Sequence, residues 1–181
     1  RGGVTVSEIY NGCGILVAQM KAGQQRDAYF ACGVEFMQQV SEILPEPVAV
    51  SENELVIIVP EGDPRKSAAL SDLTQPDLRV GVGHEKQCAM GWITQNVFRE
   101  SGMQRELMSN VTVQTPTGDM LVNQLRTGSL DAAVVYLSNA AGGTTPDISI
   151  QDASTTQKGA VQLENSTSST STTTAATPNA V

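Results

Sequence analysis

Basic residues are scarce and scattered: 11 Lys and Arg stand against 19 Asp and Glu, giving a formal net charge of -8 and a pI near 4.5. Nucleic acid and anionic membrane surfaces both require clustered positive charge, so neither fits as a partner. Long apolar runs are also missing. Nothing approaches the roughly 18 residues of a membrane-spanning helix, so no membrane insertion is expected. The opening residues, Arg-Gly-Gly-Val-Thr-Val, have neither an initiating Met nor the layout of a signal peptide, and the chain reads as a mature, trimmed or excised product. The one histidine, His84, has no nucleophile placed beside it by motif and reads as a solvated loop residue. Cysteines number 3 (Cys13, Cys32, Cys88), with neither metal-ligand nor redox spacing. They read as separate small thiols of core or cleft, with a disulfide or a reactive thiol as the alternative.

What is present divides near residue 143. Up to that point strand-like and helix-like patterns alternate, which predicts an α/β architecture. Strands are expected at Val4–Tyr10, Asp27–Ala31, Glu54–Val59, Arg79–Gly83, Val111–Gln114 and Ala132–Leu137. Helices are expected at Gly14–Lys21, closed by Ala22-Gly23, and at Val34–Ile43, ended by Pro45. Further helices are expected at Met90–Ser101 with Ile93, Val97 and Phe98 inward, at Gln104–Met108, and at Asp119–Thr127 with Met120, Leu121 and Leu125 as its apolar face. Ser71–Leu73 reads as a helical turn. Single helices between strands favour right-handed parallel crossovers.

Two strand-to-helix corners carry the functional signal: Gly83 to Gly91, and Thr115-Pro116-Thr117-Gly118-Asp119-Met120. The first amides of a helix have no partner within it, and the dipole is positive there. Two such starts facing one cleft hold an oxyanion without Arg or Lys. Gly81-x-Gly83 lacks the third glycine of a dinucleotide fingerprint. No motif assembles a nucleophile, a base and an orienting group, so the chain reads as a binding module and not as an enzyme.

Four ordered motifs extend this reading: Asn11-Gly12-Cys13-Gly14 with the run to Gly23; Asp27-Ala28-Tyr29-Phe30-Ala31; Val80-Gly81-Val82-Gly83 leading to Ala89-Met90-Gly91; and Gln124 through Asp131 to Tyr136. Over residues 4–141 they resemble the molybdate/tungstate-type periplasmic solute-binding proteins of ABC importers. The resemblance implies periplasmic-binding-protein-like (type II) lobes: a partial first lobe at 1–52 and a second α/β lobe at 53–143. It implies a small oxyanion, molybdate or tungstate, as ligand, with sulfate as the obvious rival. The site residues it implies are Gly12, Cys13, Gly14, Met90, Asp119, Met120 and Tyr136. An importer permease as partner and a periplasmic or extracytoplasmic location follow; no metal and no cofactor are implied. Tyr136 also has an ordinary role open to it, as a core tyrosine bonded to backbone. The family's first strand, its serine turn and its C-terminal return are absent, and Cys13 stands where a hydroxyl residue is usual. Weakened affinity is therefore expected.

From Thr144 the chemistry changes: 16 of 38 residues are Ser or Thr and none is aromatic. Such a stretch buries too little apolar surface to offset its own ordering entropy, so 144–181 reads as an irregular or fibrous tail. Asp152 to Leu163, with Ala175-Ala176-Thr177-Pro178-Asn179-Ala180-Val181, resembles a tailed-phage tail-fibre repeat. That resemblance implies a homotrimer through the tail and a virion location. The alternative function is thus a structural fibre component, or a chimera carrying a non-functional binding-protein fragment.

Overall fold

The continuous apolar run Leu-Val-Ile-Ile-Val-Pro forms β1 (Leu55–Pro60), one residue later than the sequence pattern places it. The structure is a computed structural model and describes residues 3, 5–67, 69–141, 148–152, 162–164 and 174–176. After β1, a 3-10 turn (Leu70–Thr74) leads to β2 (Val80–Gly83). Two N-terminal helices precede β1: α1 (Cys13–Lys21) and α2 (Val34–Gln38). Beyond β2 come α3 (Ala89–Glu100), α4 (Gln104–Ser109), β3 (Val111–Thr115), α5 (Gly118–Arg126), β4 (Ala132–Tyr136) and α6 (Leu137–Ala141). β5 (Ile148–Asp152), β6 (Gln162–Glu164) and β7 (Thr174–Ala176) complete the order.

The main sheet runs β3-β2-β4-β1-β5. β2 is parallel to β3 and β4, as helical crossovers require, but β1 is antiparallel to both β4 and β5. The sheet is therefore mixed, and the all-parallel expectation fails at β1. β1 reaches β2 through a loop with one 3-10 turn and takes its place across β4, so no helical crossover dictates its direction.

β1 and β4 are covered on both faces, which explains their unbroken apolar sequence. Val56, Ile58, Ala133 and Val135 pack with Leu121, Val122 and Leu125 of α5 on one side. Ile57, Val59, Ala132 and Val134 pack with Leu73, Phe98 and Leu107 on the other. On α3, Phe98 is buried as expected, whereas Ile93 and Val97 are only half-buried. Thr94 and Gln95 lie deeper than either. Thr94 donates to the Met90 carbonyl at 2.7 Å, and Gln95 accepts from Gln104 Nε2 at 2.9 Å, so neither polar group is left unpaired. Met120 does not belong to the apolar face of α5: it is 46% exposed.

The N-terminal part departs most from expectation. Neither Val4–Tyr10 nor Asp27–Ala31 contains a described strand. A strand needs a hydrogen-bonded neighbour, and no described strand pairs with either; Tyr10 and Phe30 stand more than 75% exposed. α2 covers half its expected length, because its bonds tighten to i−3 after Gln38, as in Ser41 N–H to the Gln38 carbonyl. α1 forms as expected. Gly23, at φ +94, closes it with paired bonds, Gly23 to Met20 and Gln24 to Gln19. Its inner face (Cys13, Val17, Met20) meets Phe36, Val40 and Ala89 in a separate small core.

β5 lies in the stretch expected to be irregular or fibrous, yet it is the sheet's edge strand, with Ile150 opposite Ile58. β6 and β7 pair parallel in a second sheet. The rest of the tail-fibre resemblance lies outside the described residues.

The Asp131 carboxylate ties the starts of β2 and β4 together. It accepts from the Arg79 backbone amide, Nε and Nη2, each at 2.9 Å. The Arg79 guanidinium holds this carboxyl below its ordinary pKa. Its contribution is present above the unfolded carboxylate pKa (~3.9) and is lost as pH falls through the lower folded value. Asp131→Asn should therefore reduce the difference in urea midpoint between pH 6 and pH 3; an unchanged difference removes this bond from the acid limb.

Candidate functional site

Three helices begin around one cavity of about 140 Å³. Its wall carries Asn11, Gly12 and Cys13 from the start of α1, Cys88, Ala89 and Met90 from the start of α3, and Pro116 to Asp119 from the start of α5. Cys32, Tyr136 and Asn139 complete it. The volume is well below the roughly 300–1,000 Å³ of sites for drug-sized ligands, and suits a small ion. Among the described residues no Lys or Arg lines it.

Glycine lets the three starts approach one another. A Cβ on Gly12 would stand 2.4 Å from the Gln87 carbonyl oxygen and 2.6 Å from that of Pro116. One on Gly14 would stand 1.9 Å from the Lys86 carbonyl oxygen. The sequence between α1 and the two corners therefore requires backbone-to-backbone contact.

The donors differ in availability. The amides of Gly118 and Asp119 have no hydrogen-bond partner among the described residues, and no side chain caps α5. At α3 no side chain caps the helix either, and the Met90 and Gly91 amides act on the Cys88 thiol and the Ala89 amide on that of Cys13, drawing each toward thiolate. The Gly14 amide is engaged by the Gln87 carbonyl at 3.0 Å. The Tyr136 hydroxyl donates to the Cys32 carbonyl at 3.0 Å, and that of Tyr29 to the Cys13 carbonyl at 3.0 Å. One carboxylate, that of Asp119, is on the wall and accepts from Asn139 Nδ2 at 3.1 Å.

Of the residues implied by sequence, Gly12, Cys13, Met90, Asp119 and Tyr136 therefore share one wall. Gly14 and Met120 do not. Gly14 serves the packing of α1 on the loop before α3, and the Met120 side chain points to solvent.

The cysteines, read from the sequence as separate thiols, all line this cavity. All are free. The Cys32 amide approaches Cys13 Sγ at 3.4 Å. A hydrogen bond from the Cys32 thiol, then the amides of Cys32 and Ala89, draws the Cys13 thiol down to about 6 against the pull of burial. The same bond, with burial, pushes Cys32 up. Burial pushes Cys88 up, opposed by the Gly91 and Met90 amides. Burial also raises Tyr136 and Tyr29. Among the described residues no set of His, Cys, Asp and Glu is arranged to hold a metal ion.

Cys32 and Asn139 were not expected at the site, and Pro116–Gly118 were not named as ligand residues. Pro116–Gly118 belong to the second corner, so their place there was readable. Nothing in the spacing of Cys32 or Asn139 announces theirs.

The family model described as bacterial extracellular solute-binding protein matches residues 1–177, which includes most of the Ser/Thr-rich tail. The molybdate-binding protein ModA of Mycobacterium tuberculosis is 28% identical over 141 residues, 76% of this chain and 52% of that protein. The chain spans about half the length of the curated relatives it matches. Among solved structures, the periplasmic binding protein AfuA from Actinobacillus pleuropneumoniae superposes with a TM-score of 0.64 at 15% identity, covering 83% of this chain and 61% of that one. The sulfate-binding protein SubI of M. tuberculosis gives 0.62 at 11% identity, covering 78% and 58%. The likeness to these structures is one of fold.

Proposed function

Because the chain belongs to the family of bacterial extracellular solute-binding proteins, we propose that its cavity captures a tetrahedral oxyanion, molybdate or tungstate, on the extracytoplasmic side for an ABC importer. The observation that carries this reading is the start of α5 on the wall of a cavity where three helices begin, with the Gly118 and Asp119 amides unpartnered among the described residues. Positive dipole ends and neutral donors bind anions without a counter-charge, which suits a chain with an excess of acidic residues. The similarity to ModA supports molybdate as the anion. The protein releases what it binds unchanged, so the site needs donors and no reacting group.

Selectivity among tetrahedral anions comes from cavity size and donor count, since a donor left unpaired in a dry site costs about 1–3 kcal/mol. Isothermal titration with molybdate, tungstate and sulfate tests the reading. One-to-one heats with the two larger anions, exceeding those of sulfate, are expected; no heat with any of the three overturns it.

A single amide can be removed without unfolding its helix. Gly118 is the first residue of α5, where proline is tolerated, and Thr117 before it is already extended at φ -140, ψ 150. The Asn139 side chain occupies the space a Cβ needs, so Gly118→Pro is made with Asn139→Ala and compared with Asn139→Ala alone. Loss of one charge-assisted bond of ~1.5–3 kcal/mol should weaken molybdate binding about 10- to 100-fold. Equal affinity in the two variants excludes the Gly118 amide as a ligand donor.

A further inference from the structure

We propose that Cys13 and Cys32 are a redox pair, forming a reversible intramolecular disulfide across the wall of the cavity in the presence of a small aliphatic disulfide. The geometry carries this independently of which ligand the cavity takes. The Cys32 amide is 3.4 Å from Cys13 Sγ, and both cysteines stand on the wall of the same cavity. Both backbones are pinned: the Tyr29 hydroxyl holds the Cys13 carbonyl and the Tyr136 hydroxyl, at the end of β4, holds that of Cys32. Cys13 opens α1, so its sulfur lies at the positive end of a helix and beside the Ala89 amide, a setting that favours thiolate. Cys32 is exposed, and the cavity gives a small reagent a path to Cys13.

The chemistry is thiol–disulfide exchange. The Cys13 thiolate attacks one sulfur of the external disulfide, forming a mixed disulfide and expelling one thiolate. That thiolate takes the Cys32 proton. Cys32 sulfur then attacks Cys13 Sγ, the protein disulfide forms, and the second external sulfur leaves. Two protein thiols are oxidised and one external disulfide is reduced to two thiols. The bond closes a loop between residues 13 and 32 in the part of the chain where the two expected strands do not form.

Each cysteine falls in its own tryptic peptide: residues 2–21, 27–65 and 87–99. The full chain is incubated with hydroxyethyl disulfide at pH 7.5, remaining thiols are blocked with N-ethylmaleimide, and the digest is analysed by mass spectrometry. Expected are a cross-link between peptides 2–21 and 27–65, alkylated Cys88, and a Tm raised by roughly 6–12 °C, as closure of a loop of this length implies. Cys32→Ser should instead trap the mixed disulfide on Cys13. Three alkylated thiols, mixed disulfides alone in the unmutated chain, or a cross-link through Cys88 each overturn the proposal. None of these readouts depends on anion binding.

Discussion

Alanine at Gly91 is expected to destabilise the protein by about 3 kcal/mol, the upper end of what overpacking costs. In an ordinary helix interior the same change stabilises by up to ~1 kcal/mol, because glycine carries the larger backbone entropy. Here the sign reverses. A Cβ on Gly91 would stand 2.4 Å from both the carbonyl carbon and oxygen of Gly83, and 2.6 Å from the carbonyl carbon of His84. All three are backbone atoms at the end of β2, a strand paired on both sides, so none can swing aside as a side-chain tip would. The contact is mutual: a Cβ on Gly83 would meet the Gly91 nitrogen at 2.7 Å. Relief comes only by lifting the first turn of α3, and that turn carries Ala89 and Met90 of the cavity wall. Urea unfolding should show the lost stability, and molybdate titration a parallel loss of binding. Gly3→Ala, where no atom lies within 4 Å, serves as the neutral control. A Gly91→Ala protein as stable as its parent would show that β2 and α3 are not in contact as described.

The same contact explains why so much of this half of the molecule was legible in sequence. Glycine at both ends of a strand-to-helix corner, an apolar run too regular for a loop, and strand–helix alternation are local signals, and α3, α5, β1, β2 and β4 all follow from them. The direction of β1 was not legible, because it depends on which neighbour the strand finds and not on its own residues. Residues 5–10 and 27–31 have strand-like composition but no partner among the described residues, and composition cannot supply one. Ile148–Asp152 is the reverse: in a Ser/Thr-rich stretch, Ile148 and Ile150 become an edge strand because β1 offers an open side. At the site, the two corners announced the helix starts that meet there. The gathering of Cys13, Cys32 and Cys88 was invisible, since residues so far apart in sequence are brought together only by α1 resting on the loop before α3 through Gly12 and Gly14. The free amides of α5 lie between these extremes. Their position was readable from Thr117-Gly118-Asp119, but their lack of a capping side chain shows only in coordinates.

Affinity for molybdate is expected to fall as pH rises from 6 to 8, by up to about 50-fold, the limit for a group of pKa near 6 that must be protonated for binding. Cys13 lies on the cavity wall and its thiol ionises at about 6. A thiolate there repels a dianion held by the amides of the same wall, so the anion binds the protonated form and binding takes up a proton. The other groups that act on Cys13 or share its surroundings are Cys32, Cys88, Tyr29, Tyr136 and Glu35. Both tyrosines and the other two thiols are shifted upward, away from this window. Stability should move in the opposite direction over nearly the same range. A folded pKa below the unfolded cysteine value of ~8.5 contributes stability that is present above that value and is lost as pH falls through about 6. The unliganded protein therefore gains stability with rising pH while its ligand dissociates more readily. Cys13→Ser removes the titrating group and keeps a small polar side chain. Its affinity should be level from pH 6 to pH 8, and its thermal midpoint should lose the rise across the same interval. If the variant keeps the parent's pH profile, the Cys13 thiol is not the group whose charge controls binding.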